Sequence, residues 1–100
     1  MKRRDVFIDP VAQQDLVRIF DVIAELAGPA TGAAYVEKLM DHCLTFDLAS
    51  ERGARRDDIR PGLRIIGYRR RVTIAFTVSD TQVVILRVFY GGVDWEPRLA

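Results

Sequence analysis

Cysteine, long apolar runs and net charge are scarce in this sequence of 100 residues, and each scarcity excludes a class of protein. The single cysteine, Cys43, excludes an internal disulfide and a cysteine metal cluster. No apolar run approaches the ~20 residues that a membrane span needs, and the first residues lack the apolar stretch of a signal peptide. We therefore expect one cytoplasmic domain over residues 1–100, with no membrane contact, no cofactor and no metal.

The charge is small in sum but uneven along the chain. The formal net charge is +1, yet residues 1–51 carry −4 and residues 52–100 carry +5, and every basic residue of the second half is arginine. Arginine is favoured over lysine where planar, bidentate recognition matters. The overall charge gives no general case for nucleic-acid binding. The arginines nevertheless indicate a contact surface, with a merely solvated surface as the alternative.

The stretch Leu63–Tyr90 is dense in β-branched and aromatic residues and is interrupted only at Tyr68–Arg71 and Ser79–Gln82. This pattern is typical of antiparallel strands joined by tight hairpins. The predicted strands lie near residues 63–69, 71–78 and 82–90. If Val78 lies opposite Val83, the side-chain period of two assigns every other residue to a face.

The two predicted faces of this sheet differ in bulk. The face that we assign to the core carries Leu63, Ile65, Val72, Ile74, Phe76, Val78, Val83, Ile85, Arg87 and Phe89. The second face carries Arg64, Ile66, Tyr68, Thr73, Ala75, Thr77, Val84, Leu86, Val88 and Tyr90. Phe76 and Ile85 should therefore be buried beneath helices. The second face has no cover in this chain, so we expect it to meet a partner.

The first half of the chain predicts a short strand and a helix. The strand covers residues 5–8, Asp9 suits a helix N-cap, and Pro10 suits the first helical position. Apolar residues then recur at helical spacing as far as Ala27. Gly28 ends the helix, because glycine readily turns left-handed.

A second helix is predicted from a cap at Thr31 to about Leu48. The short connection makes the two helices antiparallel, and their apolar stripe needs a sheet to lie on. The order β-α-α-β-β-β therefore predicts an α+β domain, with the helix hairpin packed on one face of an antiparallel sheet. The pairing of the first strand is left open.

None of the candidate chemical groups forms a convincing catalytic or metal site. We interpret His42 as a structural or surface residue and Cys43 as a small buried hydrophobe. Asp57–Asp58 lies among arginines and is interpreted as salt-bridged surface charge, and no helix follows Gly91–Gly92 to make a phosphate loop. Arg87 inside a strand must either pair with an acid of the helix hairpin or line a partner groove.

A set of short motifs, in order along the chain, resembles one protein family. The motifs are Asp15-Leu16, Gly53, Arg56-Asp57, Ile59–Arg64, Tyr68–Arg71, Ile74–Phe76, Ile85–Val88, Tyr90–Gly92 and Asp94. The chain resembles the ParE toxins, within the wider RelE/ParE superfamily. The resemblance covers nearly the whole chain and rests on the ordered set, since no single motif is diagnostic.

The resemblance implies the toxin of a type II toxin–antitoxin system. ParE toxins inhibit DNA gyrase by binding, and a ParD antitoxin neutralises them in a hetero-oligomer. Such a toxin meets DNA only indirectly, through the ribbon-helix-helix part of the antitoxin. One alternative is a RelE-like ribosome-dependent endoribonuclease, which shares the fold and cuts messenger RNA. Another is an inactive homologue that serves only as a complex partner or co-repressor.

The segment after the last strand favours the gyrase inhibitor over the ribonuclease. RelE-like members resemble one another in an arginine just past this strand, which is absent from Gly91–Trp95 here, and Asp94 would repel an RNA backbone. The chain also departs from the ParE pattern, because many members carry an arginine before the aspartate where this chain has Val93. We therefore predict no catalytic residue. The predicted partner-binding residues are Arg64, Arg70, Arg71, Leu86, Arg87, Val88, Tyr90 and Trp95.

Overall fold

Two helices pack on one face of a five-stranded mixed sheet in the computed structural model, which describes residues 2–99. The elements are β1 (Asp5–Ile8), α1 (Pro10–Ala27), α2 (Pro29–Leu44), β2 (Ala54–Arg55), β3 (Leu63–Tyr68), β4 (Val72–Val78) and β5 (Gln82–Tyr90). The sheet order is β1-β5-β4-β3-β2. The α+β class and the helix hairpin are confirmed. The sheet is mixed because β1 runs parallel to β5, and β2 adds a short strand inside the predicted loop.

The helix boundaries follow local chemistry at three residues. The Asp9 carboxylate accepts the Val11 N–H at 2.9 Å and caps α1 as predicted. Gly28, with φ of 96°, ends α1 and precedes α2. The cap predicted at Thr31 is wrong, because α2 begins at Pro29, whose fixed φ suits a first helical turn. The helix also ends at Leu44, before the predicted end, and continues as a 3₁₀ turn.

A β-bulge in β5 changes which residues face the helices. Val78 pairs with Val83 as predicted, but Phe76 pairs with Ile85 while Ala75 pairs with Arg87, so Leu86 is an extra residue. Each residue after the bulge therefore lies on the face opposite to the one that strict alternation gives. The predicted face is wrong for four residues of β5 for this reason: Arg87, Val88, Phe89 and Tyr90.

The first hairpin shifts the faces of β3 in the same way. Tyr68 pairs with Val72, so three arginines form the connection between β3 and β4. Ile66 and Tyr68 consequently share the helix-covered face with Ile74. Leu63 and Ile65 pair with the opposite face of β4, and their assignment to the helix side is also wrong. Arg64 pairs with Phe76 and so lies on the helix-covered face, contrary to its predicted place on the second face.

The sheet carries a hydrophobic core on each face. Buried residues of the main core, between sheet and helices, are Ala12, Leu16, Ile19, Ile23, Leu39, Cys43, Phe46, Tyr68, Val72, Ile74, Phe76, Val83, Ile85 and Val88. Phe76 and Ile85 are fully buried there, as predicted. The second core contains Leu63, Ala75, Phe89 and Leu99, with Ile59 and Trp95 packed against it. The second face is therefore partly covered by the 56–62 loop and the C-terminal tail, contrary to the expectation that it is open.

Close packing of the two helices depends on Gly32. A Cβ at this position would lie 3.0 Å from the Phe20 carbonyl oxygen and 3.2 Å from the Phe20 ring. Neither helix in residues 2–99 combines the length and apolarity needed to cross a membrane. The hairpin covers one face of the sheet.

Candidate partner-binding surfaces

Arg87 forms an ion pair with a buried carboxylate of α1. Its Nε donates to Asp15 Oδ2 at 2.8 Å and its Nη2 donates to Asp15 Oδ1 at 3.0 Å. Asp15 is 3% exposed, and Arg18 adds a weaker contact at 3.6 Å. The hydrogen bonds that Arg87 donates to Asp15 raise the pKa of Arg87. Of the two alternatives for this arginine, the ion pair with the helix hairpin is the one observed.

The Asp15 carboxylate also accepts a hydrogen bond from the backbone of β5, at a point where no neighbouring strand is present. The pairing of β1 with β5 ends at Ile8 and Ile85, so the later part of β5 lacks a partner strand on that side. The Val88 N–H instead donates to Asp15 Oδ2 at 2.9 Å. One side chain of α1 therefore satisfies an arginine and an edge amide, which attaches the helix to the sheet edge.

Several predicted partner-binding residues lie in packed surroundings. Val88 is 2% exposed under the helices and offers no surface to a partner. Tyr90 contacts the Tyr35 ring edge-on at 6.1 Å, also on the helix side. Leu86 and Trp95 are half-buried against the second core. A partner role for Leu86 and Trp95 stays a prediction, whereas the role given to Val88 rested on the wrong face.

The predicted arginines fall into two groups. Arg64 is half-buried, and its guanidinium donates to the Arg52 carbonyl oxygen at 3.4 Å. Arg70 and Arg71 are exposed in the β3–β4 turn. Neither makes an ion pair with any residue from 2 to 99. They are therefore free to meet a charged partner.

The outer surface of the helix hairpin carries an apolar groove that the sequence did not predict. It has a volume of about 500 Å³, and we call it the hairpin groove. Its lining residues are Ile8, Gln13, Leu16, Val17, Phe20, Ala33, Val36 and Met40. Val17 is 61% exposed and Met40 39% exposed. The sequence offered one sign of this groove, because Val17 is an apolar residue outside the apolar stripe that α1 turns toward the core.

No charged residue lines the hairpin groove. Its polar lining residue, Gln13, donates its side-chain amide to the Ile8 carbonyl oxygen at 2.9 Å and so is partly satisfied within the protein. A contiguous patch of exposed apolar surface often marks a site where a partner or ligand binds. The groove is therefore suited to an apolar side of a partner segment.

Burial shifts the pKa values of His42 and Cys43 in opposite directions. The His42 ring lies 4.7 Å from the Tyr68 ring and 5.4 Å from the Phe46 ring. Burial, and then the positive charges of Arg52 and Arg69, lower the pKa of His42, so the ring is neutral at pH 7. Burial raises the pKa of the Cys43 thiol to about 11. Cys43 belongs to the main core, as predicted. His42 is half-buried and packs against aromatic rings, which agrees with its interpretation as a structural or surface residue.

The 56–62 loop is joined to the C-terminal tail by Arg56. Its guanidinium donates to Asp58 and, at 3.0 Å, to Glu96, and it lies 5.5 Å from the centre of the Trp95 ring. Hydrogen bonds from Arg56 lower the pKa of Asp58, and bonds from the Gly62 N–H and from an arginine lower that of Asp57. The interpretation of these aspartates as salt-bridged surface charge is confirmed.

Residues 2–99 contain no group of three or more histidine, cysteine, aspartate or glutamate side chains arranged to hold a metal ion. The features described so far are a helix hairpin on a mixed sheet, exposed arginines at a sheet turn and an open apolar groove. Together they define a small α+β domain with one basic and one apolar surface open to solvent.

Comparison with models of known protein families shows the family to which the chain belongs. The family model described as "ParE toxin of type II toxin-antitoxin system, parDE" matches residues 6–95. The chain belongs to this ParE toxin family and is a type II toxin of the RelE/ParE superfamily. No curated protein matches its sequence.

Two solved structures show the same fold. A chain of the chromosomal ParDE system from P. aeruginosa is 23% identical, with a TM-score of 0.77, and the match covers 89% of this chain and 97% of that one. A chain of the RelBE2 toxin–antitoxin complex from Mycobacterium tuberculosis is 22% identical, with a TM-score of 0.54, over 88% and 98% of the two chains. At 22–23% identity, these similarities support a shared fold and nothing finer.

Proposed function

We propose that this toxin inhibits DNA gyrase by binding and that a ParD-like antitoxin neutralises it in a hetero-oligomer. Membership of the ParE family supports the proposal, and the two similar structures come from systems named as toxin–antitoxin pairs. In this proposal the toxin performs no chemistry. Its contribution is to present shaped apolar and basic surfaces.

The observation that carries the proposal is the Asp15–Arg87 ion pair. A ribonuclease of the RelE type would need free basic groups on the sheet itself to hold a phosphate while its bonds change. The unpaired arginines of the β3–β4 turn lie at the end of the sheet and not on its face. Asp15 neutralises Arg87 through two hydrogen bonds and leaves it little capacity for a phosphate. Asp94, just after the last strand, is exposed, and its negative charge would repel an RNA backbone near it.

Purified toxin is expected to inhibit DNA supercoiling by gyrase and to leave cell-free translation intact. The measurement is supercoiling of relaxed plasmid, run beside translation of a reporter message with analysis of message length. A matched sample of toxin saturated with its antitoxin should inhibit neither reaction. Cleaved message with normal supercoiling would favour the ribonuclease, and inactivity in both assays would favour an inactive homologue.

We further propose that the antitoxin covers the hairpin groove. An uncharged groove of about 500 Å³ on two antiparallel helices suits an amphipathic segment with apolar residues at helical spacing. The sheet face expected to bind the antitoxin is instead partly filled by the second core. Covering Val17 and Met40 would also remove exposed apolar surface from solvent, which supplies affinity.

Changing Val17 to glutamate is expected to weaken antitoxin binding at least about tenfold, because a buried unpaired carboxylate opposes docking. The matched control is Leu26→Glu, since Leu26 lies on the same helix, is 80% exposed and does not line the groove. Calorimetry with both variants, each first shown to be folded, measures the difference. If Val17→Glu binds the antitoxin with the affinity of the parent protein, the hairpin groove is not the antitoxin site, and the second sheet face around Leu86 becomes the candidate again.

A further inference from the structure

The turn between β3 and β4 forms one wall of a basic cleft. Arg69, Arg70 and Arg71 line it together with Gly91 and Gly92, and it has a volume of about 470 Å³. We call it the arginine cleft. All five residues are exposed, and none of the three arginines pairs with an acid within residues 2–99. Three like charges therefore face solvent side by side with no internal neutralisation.

The backbone of this turn is strained at two arginines. Arg69 has φ of 50° and Arg70 has φ of 62°, a region that residues with a β-carbon seldom adopt. Tight hairpins that need two such residues usually contain Asn-Gly or Gly-Gly. Arginine at both positions costs backbone strain energy, although both side chains are exposed and neither is buried in a core. Strain that the fold tolerates at such places is a pointer to function.

The turn is nevertheless held in one shape. The Arg71 N–H donates to the Tyr68 carbonyl oxygen at 3.3 Å, and the Gly91 N–H donates to the Arg71 carbonyl oxygen at 2.7 Å. The Arg69 guanidinium lies 5.3 Å from the centre of the Tyr68 ring. These contacts position the arginines before any ligand arrives, which lowers the entropy cost of binding.

The opposite wall leaves room for close approach to the backbone. A Cβ placed on Gly91 or Gly92 would meet nothing within 4 Å, so the space beside both glycines is open. Glycine at the edge of a cleft permits a ligand to approach the main chain more closely than other residues do. The cleft therefore combines a basic wall with an unobstructed one.

We propose that the arginine cleft binds consecutive phosphates of a nucleic-acid backbone. Guanidinium groups match phosphate geometry with paired hydrogen bonds. An acidic protein segment would need apolar anchors for affinity, and the cleft is lined by arginine and glycine alone within the described chain. Phosphate contacts need no such anchor, because affinity comes from charge and counterion release.

This contact goes beyond the proposed function, since it requires neither gyrase nor antitoxin. It adds a direct contact with nucleic acid to the indirect one expected through the antitoxin. Asp94, exposed two residues after Gly92, is the nearest acid along the chain and opposes the binding. Asp94→Asn should accordingly strengthen it.

The test is fluorescence anisotropy of a labelled 20-base-pair DNA duplex with the purified toxin. If three phosphates are contacted, affinity should fall about 40-fold between 50 and 200 mM salt. Replacing Arg69, Arg70 and Arg71 together by alanine should reduce affinity at 50 mM salt more than tenfold and remove most of the salt dependence. A parent protein that does not bind at 50 mM salt would overturn the proposal.

A matched variant separates a specific cleft from general charge. Replacing Arg3, Arg55 and Arg60 by alanine removes the same charge from exposed positions outside the cleft. This control should retain affinity within about threefold. An equal loss in both triple variants would show diffuse attraction and overturn the proposal. Displacement of the duplex by polyglutamate at equal charge concentration would overturn it in favour of an acidic protein.

A second variant tests whether a loss of binding reflects misfolding of the alanine variant. Arg69→Asn with Arg70→Gly places favoured residues at the two strained positions. The melting temperature should rise by about 4 °C or more as strain is relieved, while duplex affinity falls. A more stable protein with weaker binding identifies the strained arginines as ligand contacts. Unchanged affinity in this stabilised variant would overturn the proposal.

Discussion

Replacing Phe76 by alanine is expected to lower the free energy of unfolding by about 3–5 kcal/mol. Phe76 is fully buried in the main core, and its ring centre lies 4.9 Å from that of Phe46, at the end of the helix hairpin. Truncation removes apolar burial and leaves a cavity that the sheet and helices cannot close without moving together. The total free energy of unfolding of a small domain is about 5–15 kcal/mol, so this loss is a large share of it. Urea denaturation followed by circular dichroism measures the loss.

The matched control for this substitution is Phe7→Ala. Phe7 is 51% exposed in β1, so its truncation should cost less than about 1 kcal/mol. The Phe76 variant should also melt more than about 10 °C below the parent. If it melts within a degree or two of the parent, the face of β4 assigned to the helices is wrong.

Much of the fold could be predicted because its signals are local. Five of the seven residues of Val72–Val78 are β-branched, and the Asp9-Pro10 pair specifies a helix start with its own side-chain chemistry. Such signals lie within a few neighbouring residues. The hairpin between Val78 and Val83 is predictable for the same reason, because a short polar turn sets the register of both strands.

The faces of the sheet could not be predicted beyond the first irregularity. The bulge at Leu86 depends on how β5 meets β4 and α1, and no residue type at that position announces it. One sign was present: strict alternation put Arg87 on an otherwise apolar face, which is an unfavourable place for a charge. Counting the bulge moves Arg87 to the edge and brings Val88 into the core.

The candidate site shows a similar limit of local reasoning. The arginines of the β3–β4 turn are visible in the sequence, but their two positive φ angles are set by the three-residue connection between Tyr68 and Val72. The hairpin groove requires side chains from both helices, brought together by the close approach at Gly32. The parallel pairing of β1 with β5 likewise depends on residues far apart in the chain.

Replacing Arg87 by methionine is expected to cost about 3–5 kcal/mol, because it leaves the Asp15 carboxylate buried without its main partner. Asp15 would keep the Val88 N–H and the distant, exposed Arg18. Neither replaces two charge-assisted hydrogen bonds at 2.8 and 3.0 Å. The measurement is urea denaturation of the single variants and of the double variant with Asp15→Leu, arranged as a thermodynamic cycle.

The double variant is expected to recover part of the loss. Removing both charges relieves the buried carboxylate, but the Val88 N–H then lacks its acceptor, which costs about 1–3 kcal/mol. Arg18→Met is the matched control, since it removes the other arginine near Asp15 from a side chain that is 65% exposed, and it should cost less than about 1 kcal/mol. If Arg87→Met costs no more than Arg18→Met, the ion pair does not hold α1 to the sheet. Arg87 would then be available to bind phosphate, and the main argument against ribonuclease activity would fail.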